Sequence, residues 1–369
     1  MSFSLSNLFK SNDEDKVVGI DIGSSAIKIV ELRKKGSKAV LETYGSVSLG
    51  PYAGLDVGRN TNLPPEKILE AVKEVLKQSG VTTKSAALAI PVQSSLIFNI
   101  ELPMQVKEED IAAIIPTEAR RYIPVPMNEV SLDYFRLPKK EHSFEEENNP
   151  DIPTVSKNKT EILVVAIHND IITQFRSLVS KCELTTSFFE IEIFSSIRAN
   201  FEHELSLVLL MDFGATRTKL TLVEFGMVKS YHTINRGGVD ITDSISKSLT
   251  IPFTRAEELK KEFGLFGNPN EKAIAEVIKF HLDYIFSEAN NVLLGHGKKY
   301  NQTISKVILT GGGSLMKGLK EMATSNFRSE VEIGHPFSKV GAPSFLEKVF
   351  EATGPEFGVA LGIALRKLQ

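Results

Sequence analysis

One phosphate-loop pattern occurs twice in this chain, about half its length apart, and that duplication limits the folds open to it. The first copy is Val17-Val18-Gly19-Ile20-Asp21-Ile22-Gly23-Ser24-Ser25-Ala26-Ile27-Lys28. The second is Val208-Leu209-Leu210-Met211-Asp212-Phe213-Gly214-Ala215-Thr216-Arg217-Thr218-Lys219. In register, each carries Asp, Gly, a small or hydroxyl residue, Ser or Thr, and a Lys after an apolar strand. The residue types suit phosphate chemistry. A buried strand delivers Asp21 or Asp212 to a turn, where its carboxylate can hold a Mg2+-bound water. Gly23 or Gly214 lets the backbone double back close to a phosphate, and hydroxyls with successive N–H groups form an anion nest. Lys28 reaches a phosphate as a point charge. One such hairpin is a weak signal; two in register suggest a nucleotide clamped between two similar domains.

Composition narrows the class. At 369 residues the chain can build two or more domains with real cores. A net charge of −3 leaves no electrostatic footprint for nucleic acid. The single cysteine, Cys182, excludes internal disulfides and cysteine-cluster metal sites. No apolar run approaches the ~20 residues of a membrane helix, and no signal-peptide core is visible, so a cytoplasmic protein is expected. Residues 1–15, with Phe3, Leu5, Leu8 and Phe9, read as a frayed N-terminal arm.

Periodicity assigns both halves the same kind of element. Lys16–Glu31 and Lys38–Val47 read as paired strands, Pro64–Gly80 as an amphipathic helix and Lys84–Ile90 as a strand. Ser94–Leu102, Glu108–Tyr122 and Val130–Leu137 read as strand, helix and strand, and Lys139–Lys159 as an acidic, solvated loop. Glu161–Ile167, Asp170–Cys182 and Thr185–Ile193 alternate strand, helix and strand. Leu205–Phe213, Lys219–Phe225 and Met227–Asn235 read as three antiparallel strands, followed by helices Val239–Leu249, Phe253–Phe263 and Lys272–His296. A strand at Lys306–Leu309 runs into Gly311-Gly312-Gly313-Ser314, a helix is expected from Leu315, then strand Val331–Ile333 and a small-residue helix, Glu356–Leu368. This is duplication of an α/β unit, not a short-period repeat.

The two hairpins, with Ile308-Leu309-Thr310-Gly311-Gly312-Gly313-Ser314, resemble the phosphate-1, phosphate-2 and adenosine motifs of the actin-like ATPase superfamily. Glu118-Ala119-Arg120-Arg121-Tyr122-Ile123-Pro124-Val125-Pro126 is similar to a signature of the PilM family of type IV pilus assembly. So are Leu88-Ala89-Ile90-Pro91, Ile100-Glu101-Leu102-Pro103, Asp133-Tyr134 and the end, Gly358-Val359-Ala360-Leu361-Gly362-Ile363-Ala364-Leu365-Arg366. The resemblance covers everything from Lys16 onward. It implies an α/β, ribonuclease H-like, duplicated two-lobed ATPase fold with an FtsA-type 1C subdomain. The implied division is lobe 1 (subdomain 1A) at 16–91 and 183–204, subdomain 1C at 92–182, lobe 2 (subdomain 2A) at 205–236 and 300–369, and subdomain 2B at 237–299.

The resemblance also implies roles. Asp21, Gly23, Ser24, Ser25 and Lys28 match phosphate-1 positions; Asp212, Gly214, Ala215 and Thr216 match phosphate-2. ATP is the implied ligand, with Mg2+ at Asp21 and Asp212. Gly311, Gly312, Gly313 and Ser314 match the adenosine loop, where absent side chains let the nucleoside lie against the backbone. Glu257 and Lys260 lie one turn apart in the helix that contacts ribose or base in relatives. Glu192 aligns with the residue that orients the attacking water and, with Asp212, forms the implied catalytic pair; a structural hydrogen bond is the alternative. Arg120, Arg121 and Tyr122 are candidates for the groove that takes the N-terminal cytoplasmic peptide of a PilN-like inner-membrane protein, or simply a solvated helix end. The implied location is cytoplasmic, peripheral at the inner membrane through partners, without membrane insertion; self-association stays open.

Other chemistries lack their residues. Gly313 and Gly318 are spaced as in a Walker loop, but Leu319-Lys320 stand where Lys-Ser/Thr is required. Gly311-x-Gly313 lacks a third dinucleotide glycine, the seven His are scattered, and there is no Gly-x-Ser-x-Gly elbow. Arg217 and Thr218 depart from the hydroxyl-rich run usual in phosphate-2, which bears on hydrolysis. At most a slow ATPase is expected. An FtsA-like division ATPase and a type II secretion homologue are the alternatives of function.

Overall fold

Val17, Val18, Ile20, Ile27, Ile29 and Val30 are buried on alternate sides of their strands, the pattern of strands covered on both faces. They belong to β1 (Lys16–Ile22) and β2 (Ala26–Lys35), which β3 (Lys38–Ser48) extends antiparallel. The expected strand Lys16–Glu31 is thus broken at Gly23-Ser24-Ser25, where the chain reverses. In the computed structural model, residues 15–137, 159–202, 204–267 and 272–368 are described; the N-terminal arm before Asp15 and the acidic loop 139–158 lie outside them. The chain then forms α1 (Pro65–Gln78), β4 (Ser85–Ile90), β5 (Ser95–Pro103), α2 (Glu108–Ala119), β6 (Val130–Arg136) and β7 (Lys159–His168). Next come α3 (Asn169–Lys181), β8 (Thr185–Ile191), α4 (Glu192–Asn200), β9 (Val208–Phe213), β10 (Thr218–Glu224) and β11 (Met227–Ile234). The remainder is α5 (Gly238–Leu249), α6 (Phe253–Phe263), α7 (Lys272–Tyr300), β12 (Lys306–Thr310), α8 (Leu319–Phe327), β13 (Glu330–Ile333), α9 (Glu347–Thr353) and α10 (Gly358–Leu368).

Two compact units result: Met1–Ile90 with Ser177–Gln369, and Pro91–Arg176. The larger holds two five-stranded sheets, ordered β3-β2-β1-β4-β8 and β11-β10-β9-β12-β13. In each, three antiparallel strands are followed by two parallel ones. The duplication extends to register: Asp21 faces Lys28 across one hairpin, and Asp212 faces Lys219 across the other.

Small residues let helices lie hard against the first sheet. A Cβ on Gly19 would stand 2.1 Å from the carbonyl oxygen of Ala360, and one on Gly362 would stand 1.9 Å from that of Ser195. Helix α10 therefore touches β1 on one side and α4 on the other. Glu190 of β8, almost wholly buried, ties that strand to α4 and α10: it accepts bonds from Ser195 Oγ (2.6 Å), Arg198 (2.7 and 2.8 Å) and Arg366 (2.9 Å). This fixes the first turn of α4, which begins at Glu192. The second sheet packs under α7, whose Ile274, Ile278, Leu282, Ile285 and Phe286 are buried at helical spacing. Phe286 meets Phe327 edge-on at 5.3 Å; truncating it to Ala costs roughly 3–5 kcal/mol.

The helix expected from Leu315 starts at Leu319 instead. Gly318 takes a left-handed φ of +84° that breaks the run, leaving a short helical turn at Gly312–Leu315. Helix α9 was not expected.

The smaller unit is a three-stranded antiparallel sheet, β5-β7-β6, with α2 on one face. Ile100, Ile162 and Val164 of the sheet pack with Ile111, Ile115 and Ala119 of the helix. Arg120, Arg121 and Tyr122 follow the helix and are exposed. Tyr122 stacks on Phe98 with ring centres 4.7 Å apart, and Arg121 pairs with Glu118 at 3.2 Å.

Candidate nucleotide-binding site

The two hairpin turns are built alike. Gly23 N–H donates to the Ala26 carbonyl at 3.0 Å, and Gly214 N–H to that of Arg217 at 2.9 Å. A Cβ would come 3.0 Å from Ala26 O at Gly23 and 2.8 Å from Arg217 O at Gly214, so both tight turns favour glycine. The turns also meet: Ser24 Oγ lies 3.2 Å from Thr216 Oγ1. A phosphate held by one turn is thereby in reach of the other.

Their supports differ. The first turn offers its Ser24 and Ser25 carbonyls to the N–H groups of Thr61 (2.9 Å) and Leu49 (2.8 Å), the two ends of a loop. That loop carries Arg59, which pairs with Asp243 of α5 at 2.8 Å and lies over the Phe253 ring at 3.9 Å. In the second turn the Gly214 and Ala215 carbonyls accept from Gly238 N–H (3.0 Å) and Val239 N–H (2.8 Å), the first residues of α5. A Cβ on Gly237 would sit 2.5 Å from Ala215 O, so only glycine admits this docking.

Glu257 and Lys260 brace that helix start. Lys260 Nζ donates to the Gly238 carbonyl (3.0 Å) and Thr242 Oγ1 (2.7 Å) and pairs with Glu257 (2.6 Å). Burial works against the charge on Glu257, but the Lys260 ammonium prevails and holds its carboxyl below the usual carboxylate range. Both residues thus act on the second turn from behind, through Gly238.

The glycine loop after β12 also supports β9. Gly311, at φ +79°, would place a Cβ 2.2 Å from Asp212 Oδ1, and Gly313 one 2.8 Å from Phe213 Cβ. Their missing side chains are thus needed for contact with β9, whatever they do for a nucleoside. Ser314 is buried and donates to the Gly311 carbonyl at 2.7 Å. Gly312 meets only Glu356, at 3.7 Å, and is the more open glycine of the run.

Beneath the turns lies a charge cluster. Lys219 Nζ donates to Glu192 Oε2 at 2.6 Å and to Asp212 Oδ2 at 3.2 Å. Burial disfavours its charge, but the two carboxylates prevail and push the ammonium's pKa well above the ordinary lysine range. Asp21 is raised to about 6, first by burial, then by Glu192 and Asp212 against the pull of Lys28 and Lys219. Asp21, Lys28, Glu192, Asp212 and Lys219 therefore act on one another. The register displays Lys219 as the partner of Lys28, but nothing in sequence places its ammonium on Glu192. Arg59 and Thr242 carry no sequence signal of their own.

Phosphate groups fit this arrangement: hydroxyls and backbone N–H groups of both glycine turns come together where the turns meet. Mg2+ at Asp21 and Asp212 would be held by one or two carboxylates together with waters and the nucleotide's own phosphates. Among the described residues no three His, Cys, Asp or Glu side chains are placed to hold a metal ion. The cavity beside Glu192, Asp212 and Lys219 measures about 10 Å3, the least space one water needs. A larger cavity of about 700 Å3 lies along α4 and α10, lined by Phe194, Arg198 and Leu365 among others, away from these turns.

Residues 19–368 match the family described as Type IV pilus assembly protein PilM. The chain belongs to the PilM family. It is similar to the cell division protein FtsA of Pseudomonas aeruginosa, 23% identical over 92% of this chain and 87% of that protein. It is also similar to FtsA of Escherichia coli, 22% identical over 94% and 90% of the two chains. Among solved structures it resembles the PilM-PilN type IV pilus biogenesis complex, with a TM-score of 0.77, 23% identity and coverage of 96% and 98%. MreB5 of Spiroplasma citri bound to ADP follows with a TM-score of 0.51, 12% identity and 96% coverage of both chains. The actin-like α/β fold that the resemblance implies is the fold of this PilM-family chain. No helix among the described residues is long and apolar enough to cross a membrane.

Proposed function

We propose that this chain is the ATP-binding, actin-like component of a type IV pilus assembly machine. Nucleotide sits where the turns of the two sheets meet, held by Ser24, Ser25, Lys28, Ala215 and Thr216, with Gly312 toward the nucleoside. The observation that carries this is the Ser24–Thr216 contact at 3.2 Å between two hairpins of identical register. Binding inserts phosphate against both turns, and each turn is bonded to a different support, so occupancy sets the lobe arrangement more than it fuels rapid turnover.

The unit around 92–182 is proposed as the partner-binding 1C subdomain, using Arg120, Arg121 and Tyr122. Its partner is the N-terminal cytoplasmic peptide of a PilN-like inner-membrane protein, which keeps the chain peripheral at that membrane. Family membership and the likeness to a PilM-PilN complex support this reading. Calorimetric titration with that peptide, with and without ATP, tests it. Saturable binding, weakened by Arg121→Glu and shifted by ATP, is expected; no binding in either state sinks the adaptor role.

A further inference from the structure

Lys219 is the part of the site that phosphate binding does not explain. Its ammonium is bonded to the carboxylates of Glu192 and Asp212, the pair that the family resemblance implies for catalysis, and all three side chains are largely withdrawn from solvent. Glu192 opens α4, which the Gly362–Ser195 contact and the Glu190 network hold in place. Lys219 projects from β10 directly opposite Asp212. Packed elements thus place the carboxylates on the two sides of the ammonium.

We propose that Lys219 is an internal cation that locks Glu192 and Asp212 together, so that the site retains nucleotide without hydrolysing it. This rests on the nucleotide reading above. To direct an attacking water, a carboxylate oxygen must accept that water's hydrogen bond within about 3 Å. Glu192 Oε2 accepts from an ammonium at 2.6 Å, a charge-assisted bond roughly twice as strong as one to a neutral donor, and the paired positive charge makes the whole carboxylate a weaker acceptor for the proton of an attacking water. Asp212 Oδ2 is engaged by the same nitrogen at 3.2 Å. Breaking the lock would require withdrawing one partner from a buried, paired triad, which is strongly unfavourable. Lys219 is therefore a positioning residue, acting through Glu192.

The test pairs nucleotide binding with turnover in the same samples. The full chain, Lys219→Gln, Lys219→Arg and the double variant Lys219→Gln/Glu192→Gln are titrated with a fluorescent ATP analogue. Phosphate release from ATP is then followed with Mg2+ present, and far-ultraviolet dichroism checks folding. Expected for the unaltered chain is saturable binding with phosphate release at background. Lys219→Gln keeps binding and raises release at least tenfold, Glu192→Gln removes that gain, and Lys219→Arg stays silent because the charge is retained. Release well above background in the unaltered chain overturns the lock, a result that needs no variant to fold. So does a folded Lys219→Gln that binds ATP with unchanged release. Absence of ATP binding in the unaltered chain overturns the nucleotide reading itself, and the lock with it.

Discussion

The β1–β2 and β9–β10 hairpins share register, turn hydrogen bond and glycine requirement, yet they are held in different ways. The first turn leans on a loop, through Leu49 and Thr61. The second leans on the first turn of α5 and on a glycine run packed against β9. Where β12 ends in Gly311, the equivalent β4 ends at Ile90-Pro91 and the chain leaves for the smaller unit. One half of the duplication gave its strand end to an inserted unit; the other kept it to brace the Asp of its own hairpin. The lysines diverge too: Lys219 bonds two carboxylates directly, whereas Lys28 acts on Asp21 through its field.

The sharpest break of this comparison is Gly311→Ala. A Cβ there would collide with Asp212 Oδ1 at 2.2 Å on a backbone of φ +79°, so a loss of roughly 3 kcal/mol or more is expected in denaturant unfolding. A loss under ~1 kcal/mol would mean the second hairpin does not depend on that packing. Gly237→Ala pushes α5 off the second turn and should cost about 2–3 kcal/mol. Gly36→Ala, at φ +63° with nothing within 4 Å, provides the control for backbone conformation without packing.

Titration separates the hairpins next. Asp21 is raised from its ordinary 3.8 to about 6, so the folded state binds the proton more tightly than the unfolded chain. That stabilisation is fully present below about pH 4 and is lost as pH rises through about 6. The ceiling is ~3 kcal/mol, and partial solvent contact brings the expected effect nearer 1–2 kcal/mol. Asp21→Asn should flatten the stability profile across that window; an unchanged slope would remove Asp21 from the cluster. The smallest effect belongs to the loop. Arg59→Ala removes a half-exposed ion pair and a ring contact, costing about 1 kcal/mol, while faster exchange of bound nucleotide would reveal the bridge to α5.

Much of this was legible beforehand because strand burial and turn chemistry are local. Val17 to Lys28 and Val208 to Lys219 announce two-faced strands and glycine turns, and the structure forms both. Local signals failed where a neighbour distant in sequence decides. Leu315 has helix-compatible company, but Gly318 packs against Leu265 at a positive φ and delays the helix. The adenosine-loop glycines read as a cradle, yet Gly311 and Gly313 are consumed against Asp212 and Phe213.

What sequence alone determined is the duplicated α/β plan and the identity of the hairpin residues, since apolar alternation and the Asp-x-Gly turn act over a few residues. Tertiary structure alone decided which charges meet. Lys219 and Glu192 are 27 positions apart, and nothing in either segment's pattern says that β10 will lay its lysine on the first residue of α4. That pairing joins a strand of the second sheet to a helix that follows the first, and a distance of that kind exists only in the folded chain.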